Sequence, residues 1–529
     1  MKVLLVKRIV EYIDPMEIEL LSALAKREGH ETALAILAQD NVEEVIREVR
    51  PDVVAFSALT GEHRYYLKAA EAVKRVSSTI PTVIGGPHCT FFPEIIEDPN
   101  IDFVGSGECD NAWPALLKAL DSGQNPDRIK NIFTKSNWYG QFRLADFNGR
   151  RAHFGNRTTA LDELPFLDRE LVYARTHLAT FPMRSFMSSR GCPFECTYCF
   201  EPQFNKLYAG KGPIFNRYSV SRLCAELKEA KDRYPTQFIK FYDDMFFVKK
   251  APDDWLMEFA EVYPREVGLP FFCLTRCNVL TEEVLRLLLR AGLHSLTMSI
   301  ETGNDYVRSN IIKRHMTREE IMHAFGLCNK YGVVTFANTI LGIPVRSEIM
   351  AEHRMSAIDY DIESLDLNIA AGATYSEFGT AYPYPGCELA EYTEKNGWFS
   401  REDFDNLHIS YGAESPLNCF SPKEKMMQNN LALLGTVCVA FPWLRNITVN
   451  YLIKLPLARL YFIPYYLTKG YLNIFKVYPM KFTLSNLARN IFRSIRFEWT
   501  KRSPGKTLYK KPSIRNTTTT QMLGGPPKI

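Results

Sequence analysis

The 529-residue chain has no apolar run fit to cross a bilayer. A span needs about 20 consecutive, mostly apolar residues. Tyr451–Leu467 is interrupted by Lys454, Pro456, Arg459 and Pro464, and Met426–Trp443 reads as a core helix. The opening Met1-Lys-Val-Leu-Leu-Val-Lys-Arg is too short for a signal sequence and reads as a buried strand, so a cytoplasmic location is expected. Twelve cysteines without a secretory signal are expected to be reduced thiols. Acid is scarce in one place. After residue 450 there are 15 Lys or Arg against one acid, Glu498, although the whole chain carries only +4. The rest of the protein is therefore acidic overall, and its basic, aromatic end points to an anionic partner. That end reads as a helical cap with a solvated basic face, or as an interfacial segment making the protein peripheral to a membrane. Nucleic acid is not the expected partner.

What is present is alternation. At the N-terminus, strand patterns at Val3–Val6, Thr32–Leu37, Val53–Ser57, Thr82–Gly85 and Asp102–Val104 interleave with helical ones such as Pro15–Arg27 and His63–Val76. This implies an α/β, doubly wound parallel sheet. Such sheets bind ligands at the carboxyl ends of their strands, where the small residues Ser57, Thr60, Gly85, Gly86 and Gly107 fall, with Glu108 beside them. Residues 122–180 are poorly periodic, with 131–135 and 141–144 as a candidate hairpin. Alternation then resumes at Ser185–Ser189, Phe238–Tyr242, Phe271–Leu274, Ser295–Ile300, Val333–Ile340 and Leu365–Ala371.

The most specific chemistry lies in Ser-Ser-Arg-Gly-Cys-Pro-Phe-Glu-Cys-Thr-Tyr-Cys-Phe, where Cys192, Cys196 and Cys199 form CxxxCxxC. Three thiolates this close can hold one inorganic centre. A four-iron cluster normally takes a thiolate at each iron, so three local ligands leave one iron open. Structural zinc wants a fourth ligand, and no Cys or His follows at zinc-finger spacing.

This spacing resembles the signature of radical SAM enzymes, and the resemblance runs from Met1 to about Trp398. The loops Gly85-Gly-Pro-His and Gly105-Ser-Gly-Glu resemble the cobalamin-binding domain of B12-dependent members. The resemblance implies a Rossmann-like B12-binding domain over residues 1–125, a linker over 126–180 and a partial (β/α)6 TIM-like barrel over 181–400. A mostly helical region, 401–510, and a disordered tail, 511–529, would follow. It implies a [4Fe-4S] cluster on Cys192, Cys196 and Cys199, with Tyr198, Asp243, Asp244, Arg276, Glu301 and Asn338 around S-adenosylmethionine (SAM). Tyr198 would pack on the adenine, and Lys313 sits where the family has a lysine. Ser57, Thr60, Gly85, Gly86, Gly107 and Glu108 would face cobalamin. The Asp-x-His-x-x-Gly motif that supplies a lower cobalt ligand in many B12 proteins is absent. His63 and His88 lie outside it, so no such ligand is expected.

The implied activity is methylation of an unactivated carbon in a small or lipid-like molecule, begun by a 5′-deoxyadenosyl radical. A one-electron reductant such as flavodoxin or ferredoxin would serve it. Two alternatives stay open: the same cofactors without methyl transfer, in oxidative cyclisation or ring rearrangement, or a non-catalytic B12 or redox sensor.

Overall fold

The structure is a computed structural model that describes residues 1–400, 403–404 and 414–502. The expected disordered tail, 511–529, lies outside the described residues. The N-terminal sheet follows from buried β-branched runs. β1 (Lys2–Lys7), β2 (Glu31–Ile36), β3 (Val53–Ser57), β4 (Thr82–Gly85) and β5 (Phe103–Gly105) alternate with α1 (Met16–Arg27), α2 (Val42–Val49), α3 (His63–Val76), α4 (Pro87–Phe91) and α5 (Ala112–Ser122). The strand order is β2-β1-β3-β4-β5-β6, and the first five are parallel. β1 and β3 are buried along both faces, as a parallel sheet covered by helices on two sides requires.

The sixth strand corrects two expectations. β6 (Ile132–Thr134) pairs antiparallel with β5, so the sheet extends past residue 125 into the presumed linker. Residues 141–144 do not return as its hairpin partner. The Thr134 hydroxyl caps a turn at Asn137, and Trp138–Phe142 coil into a π turn. Trp138 is buried against Phe133 and donates its indole N–H to Glu97 at 2.9 Å. Burying that ring outweighs the β-propensity of a short Phe-containing segment.

The second sheet is the half-barrel. β7 (Met183–Phe186) is followed by a ribbon of β8 (Ser189–Arg190) and, after α6 (Glu201–Leu207), β9 (Asn216–Arg217). Then come α7 (Val220–Arg233), β10 (Phe238–Phe241), α8 (Asp254–Glu266), β11 (Phe271–Thr275), α9 (Glu282–Ala291), β12 (Leu293–Met298), α10 (Arg318–Lys330), β13 (Val334–Leu341), α11 (Ala357–Ala370) and β14 (Tyr375–Thr380). The strands are parallel in the order β14-β13-β12-β11-β10-β7, which leaves a seam between β14 and β7. The expected strand at Leu365–Ala371 lies mostly within α11. Leu-Asp-Leu-Asn-Ile alternates like a strand, but the Ser356–Asp359 reciprocal cap starts a helix upstream. Tyr360, Ser364, Leu367 and Asn368 then bury one helical face, and Gly372 in the left-handed region ends it. The sixth strand is β14.

The C-terminal region is helical and closes the barrel. α12 (Glu388–Lys395) leads to α13 (Pro422–Ala440), which is buried along most of its length against β14. It is the expected core helix. α14 (Ala458–Leu472) packs on α13 and places Tyr465 and Lys469 on Glu377 of β14. Val477–Met480 plug the amino end of the barrel. Ser295 Oγ donates to the Val477 carbonyl at 2.6 Å, and Tyr478 packs edge-on against Phe238 and Phe272. α15 (Leu484–Arg502) runs on from there.

The two sheets are tied at their functional edges. Arg190 of β8 pairs with Asp110 after β5 at 2.5 Å. Asp14 accepts the Ser185 N–H at 2.7 Å and pairs with Arg169 at 2.8 Å. Burial works against the Arg169 charge, but Asp14 and the Tyr173 hydroxyl outweigh it and hold the guanidinium protonated.

Candidate active site

The thiol loop leaves β8 at the carboxyl end of the barrel. Gly191 turns it with φ +86°, where a β-carbon would stand 2.0 Å from the Ile214 carbonyl, so only glycine fits. Cys196 is buried and Cys192 and Cys199 are half-buried; all three are free thiols. Burial in an apolar shell pushes the Cys192 thiol up to about 12, with the Asp244 and Glu201 charges adding to it. Two cations answer that cost: Arg276 Nη1 lies 3.5 Å and Arg314 Nη1 3.8 Å from Cys196 Sγ. Arg276 is also stacked on Phe194, 3.9 Å from the ring centroid. Among the described residues no three His, Cys, Asp or Glu gather around a single metal ion. A four-iron cluster instead takes each thiolate on a separate iron. The donor set fits such a cluster: three thiols of one loop, two guanidiniums beside one of them, and no carboxylate bonded to any sulfur among the described residues.

Beside the thiols stands an ionic triad that includes Tyr198 of the same loop. Tyr198 donates its hydroxyl to Glu301 Oε1 at 2.8 Å and accepts from Arg314 Nη1 at 2.8 Å; Arg314 and Glu301 are 3.9 Å apart. Burial raises the Glu301 pKa, and Arg314 and the Tyr198 hydroxyl pull it back. Glu301 is held at φ +64°, a costly conformation for a non-glycine residue. Such strain collects where a side chain must be aimed. Backbone bonds enforce it: Glu301 N–H donates to the Asn338 carbonyl and Ile340 N–H to the Glu301 carbonyl. Asn338, next along β13, gives its amide to Ser299 Oγ at 3.3 Å.

The two aspartates after β10 separate. Asp244 is open to solvent at the mouth, near enough for its charge to act on Cys192, Cys199 and Glu201. Asp243 is fully buried and turned away from the mouth. Its Oδ1 takes the N–H and hydroxyl of both Ser188 and Ser189, so it latches the start of the thiol loop. Tyr198 likewise spends its hydroxyl on Glu301 and Arg314. Lys313 is on the surface, paired with Glu388 at 2.6 Å. The inward cation is the next residue, Arg314, which the sequence reading passed over. Glu201 was missed too; it accepts the Cys192 N–H at 3.4 Å, and burial pushes it to about 8. The adjacent Lys-Arg pair and the glutamate directly after the motif were the available signals.

At the carboxyl edge of the N-terminal sheet, Ser57, Thr60, Gly85 and Gly86 lie together. Gly86 has φ +99°, and a β-carbon there would meet the Ala58 backbone N and O at 2.8 Å. His63 and His88 stack on each other at 3.9 Å, and Thr60 Oγ1 bonds His88 Nδ1 at 3.1 Å. Burial drives His88 down to about 3, so it stays neutral. Gly107 and Glu108 form the joint between the domains. Glu108 N–H donates to the Tyr208 hydroxyl at 2.7 Å, its carboxylate accepts the Thr158 N–H at 2.9 Å, and a β-carbon on Gly107 would strike Tyr208. A cavity of about 280 Å³ lies between this edge and the barrel, lined by Thr90, Phe92, Ser106, Pro385 and Phe404 among others. The Ser106 hydroxyl in its lining is buried without a partner among the described residues. Small strand-end residues and an unanswered hydroxyl fit a large polar-edged ligand such as cobalamin.

Residues 186–357 match the radical SAM superfamily, and residues 2–117 match the B12 binding domain. The chain belongs to the B12-binding radical SAM enzymes. It is 28% identical to an uncharacterized methyltransferase of Pyrococcus horikoshii, over 74% of this chain and 81% of that one. It is also 28% identical to the hopanoid C-3 methylase of Methylococcus capsulatus, over 77% and 74%. Its fold is similar to that of the radical SAM methyltransferase TsrM from Kitasatospora setae with cobalamin and a [4Fe-4S] cluster bound. The TM-score is 0.58 at 16% identity, covering 80% of this chain and 84% of that one. The cofactors of this B12-binding radical SAM enzyme are therefore a [4Fe-4S] cluster, SAM and cobalamin. No helix among the described residues is long and apolar enough to cross a membrane.

Proposed function

We propose that this enzyme methylates an unactivated carbon of a lipid-like molecule while resting on a membrane surface. The observation that carries the methyl-transfer reading is spatial: the thiol loop is held against the carboxyl edge of the B12-binding domain, with Phe200 beside Cys199 packed on Phe91 of α4 and Arg190 before the loop paired with Asp110. When bound, the cluster and SAM supply a carbon radical and cobalamin supplies the methyl group. The chain's own work is positional. Cys192, Cys196 and Cys199 hold the cluster while Arg276 and Arg314 offset thiolate charge. Asp244 and Glu301 are placed to grip the amino and ribose groups of SAM by charge-assisted hydrogen bonds. The aromatic walls keep water out. The cavity has Phe91, Phe92, Phe147 and Phe404 in its walls and holds only part of a corrin, so these rings turn aside on loading. Electrons come from a one-electron carrier such as flavodoxin or ferredoxin.

The membrane part rests on α14. Tyr461, Tyr465 and Leu472 face the barrel, while Leu460, Ile463, Leu467 and Tyr471 form an exposed stripe on the other side. Trp443 and Phe492 are 78% and 72% exposed elsewhere in the C-terminal region, and Lys454, Arg459, Lys476, Lys481 and Arg489 of that region are exposed too. An exposed apolar stripe in a basic region suits an anionic bilayer surface. The hopanoid methylase similarity supports a lipid-like acceptor.

The deciding experiment is anaerobic reconstitution with iron, sulfide and hydroxocobalamin, then reduction with SAM. 5′-Deoxyadenosine and S-adenosylhomocysteine together support the reading. Neither product from protein with an intact cluster sinks it. For the membrane, Leu460→Glu with Leu467→Glu should reduce sedimentation with phosphatidylglycerol vesicles by about tenfold or more. Unchanged sedimentation removes that part. Deleting everything after Tyr451 would be a poor test, because Val477–Met480 plug the amino end of the barrel.

A further inference from the structure

The barrel interior contains a lysine that has no ion pair among the described residues. Lys240 lies on the inner face of β10, in register with Ser185 and Phe272. Its ammonium donates to the Tyr242 hydroxyl at 2.7 Å and sits 4.3 and 4.4 Å from the ring centroids of Tyr242 and Tyr478. Glu377 acts on it electrostatically, but that carboxylate is already bound by Lys469 and by the Tyr465 and Tyr375 hydroxyls. Burial therefore pulls the Lys240 pKa down to about 7; Glu377 partly offsets this and the Lys469 charge adds to it. Were Lys240 only filler between two aromatic rings, an apolar side chain would fill the space without a desolvation cost of several kcal/mol, on the order expected for a buried ion.

A second buried polar group stands on the inner face of the barrel, on β12, two strands from Lys240. Thr297 is on the inner row of β12, in register with Leu274 and Phe336. Its neighbours in that row are satisfied: Ser295 Oγ donates to the Val477 carbonyl, and Ser299 Oγ accepts from Asn338. Thr297 Oγ1 is buried, its residue 2% exposed, and has no hydrogen-bond partner among the described residues. Leu274 and Phe336 flank Thr297 at its own level, and Ile340 continues this half-buried apolar wall along β13 toward the mouth.

We propose that Lys240 and Thr297 form the anchoring subsite for an anionic oxygen group, carboxylate or phosphate ester, at one end of the methyl acceptor. That group neutralises Lys240 and satisfies Thr297. The apolar remainder of the acceptor then runs up the Leu274–Phe336–Ile340 wall and presents a carbon to the mouth. The proposal deepens the methyl-transfer reading and rests on it for the identity of the occupant.

The test is competitive labelling of the reconstituted full-length enzyme with trace acetic anhydride near pH 7.5. The peptide carrying Lys240 is read by mass spectrometry, with exposed Lys454 as internal reference. Hexanoate or hexyl phosphate should slow acetylation of Lys240 by about tenfold, with hexanol and the Lys454 rate showing no such effect. Whichever anion protects more identifies the source. Thr297→Val should weaken that protection by about threefold. Equal protection by all three probes, or a Lys240 that no reagent reaches, overturns the subsite. The same preparations are assayed for 5′-deoxyadenosine. Its formation without anion protection sinks the subsite alone. Protection without its formation sinks the radical reading and leaves an anion site.

Discussion

The barrel mouth and the edge of the N-terminal sheet face each other but are built from opposite materials. The mouth concentrates charge: Arg276 and Arg314 at one thiol, and the Tyr198–Glu301–Arg314 triad beside it, all buried or nearly so. The glycine turns of the opposite edge work by small residues, with Gly86 packed on the Ala58 backbone and the neutral His88 stacked on His63. A site for an ionic cluster and a zwitterion has to supply charge from protein groups once water is gone. A site for a large preformed ring has to supply shape and backbone. Substitutions should therefore fail by different physics on the two sides.

The largest effect is expected from Cys196→Ala. The remaining two thiols should lose the cluster, and 5′-deoxyadenosine formation should fall about 100-fold or more, to background. Iron content and product by mass spectrometry check this, and retained cleavage would break the charge-site side of the comparison. Next is Arg314→Met, which strands the buried Glu301 carboxylate without its cation. A cost of about 3–5 kcal/mol is expected for breaking such a pair. Chemical unfolding measures it, and Glu301→Gln in the Arg314→Met background should restore part of the loss. Additive effects would mean the triad is not a unit.

How much of this was readable differs between the two sites for the same reason. The N-terminal strands were legible because their register is written in continuous buried β-branched runs; β3 and β4 fall within the expected bounds. The thiols were legible as a spacing. The triad was not, because Tyr198, Glu301 and Arg314 meet only when a loop, a strand end and a following turn close in space. Lys313 and Arg314 differ by one residue and point oppositely, and only the backbone turn, with Lys313 at φ +46°, decides between them. Asp243 and Asp244 are equally alike in sequence, and strand alternation puts one in the core and one at the mouth. The strand expected at Leu365–Ala371 was misread because a two-residue alternation also fits a helix with one polar turn.

Gly86→Ala probes the shape side. The added methyl would meet backbone rather than a movable side chain, at a φ that L-residues rarely adopt, so a loss of about 1–3 kcal/mol is expected. The same variant should retain cobalamin less well after gel filtration, by visible absorbance, while its iron content stays at the wild-type level. Parallel loss of iron would show that the two edges are not independent.

The smallest effect tests where the mouth's charge ends. Asp243 takes four hydrogen bonds, yet burial still raises its pKa from 3.8 to about 7. The folded protein therefore holds this proton over a range where the unfolded chain has released it. Stability contributed by the protonated group is present below the unfolded value and is lost as pH rises toward about 7, after which the curve is flat. Between about pH 6 and pH 8 this amounts to about 1 kcal/mol. Asp243→Asn keeps an oxygen for the two serines and removes the titration. Thermal unfolding of the variant should lose that slope while the wild type keeps it. Identical slopes would place the proton elsewhere, in Glu201 or Glu301, and would move the boundary of the charged site outward to the mouth itself.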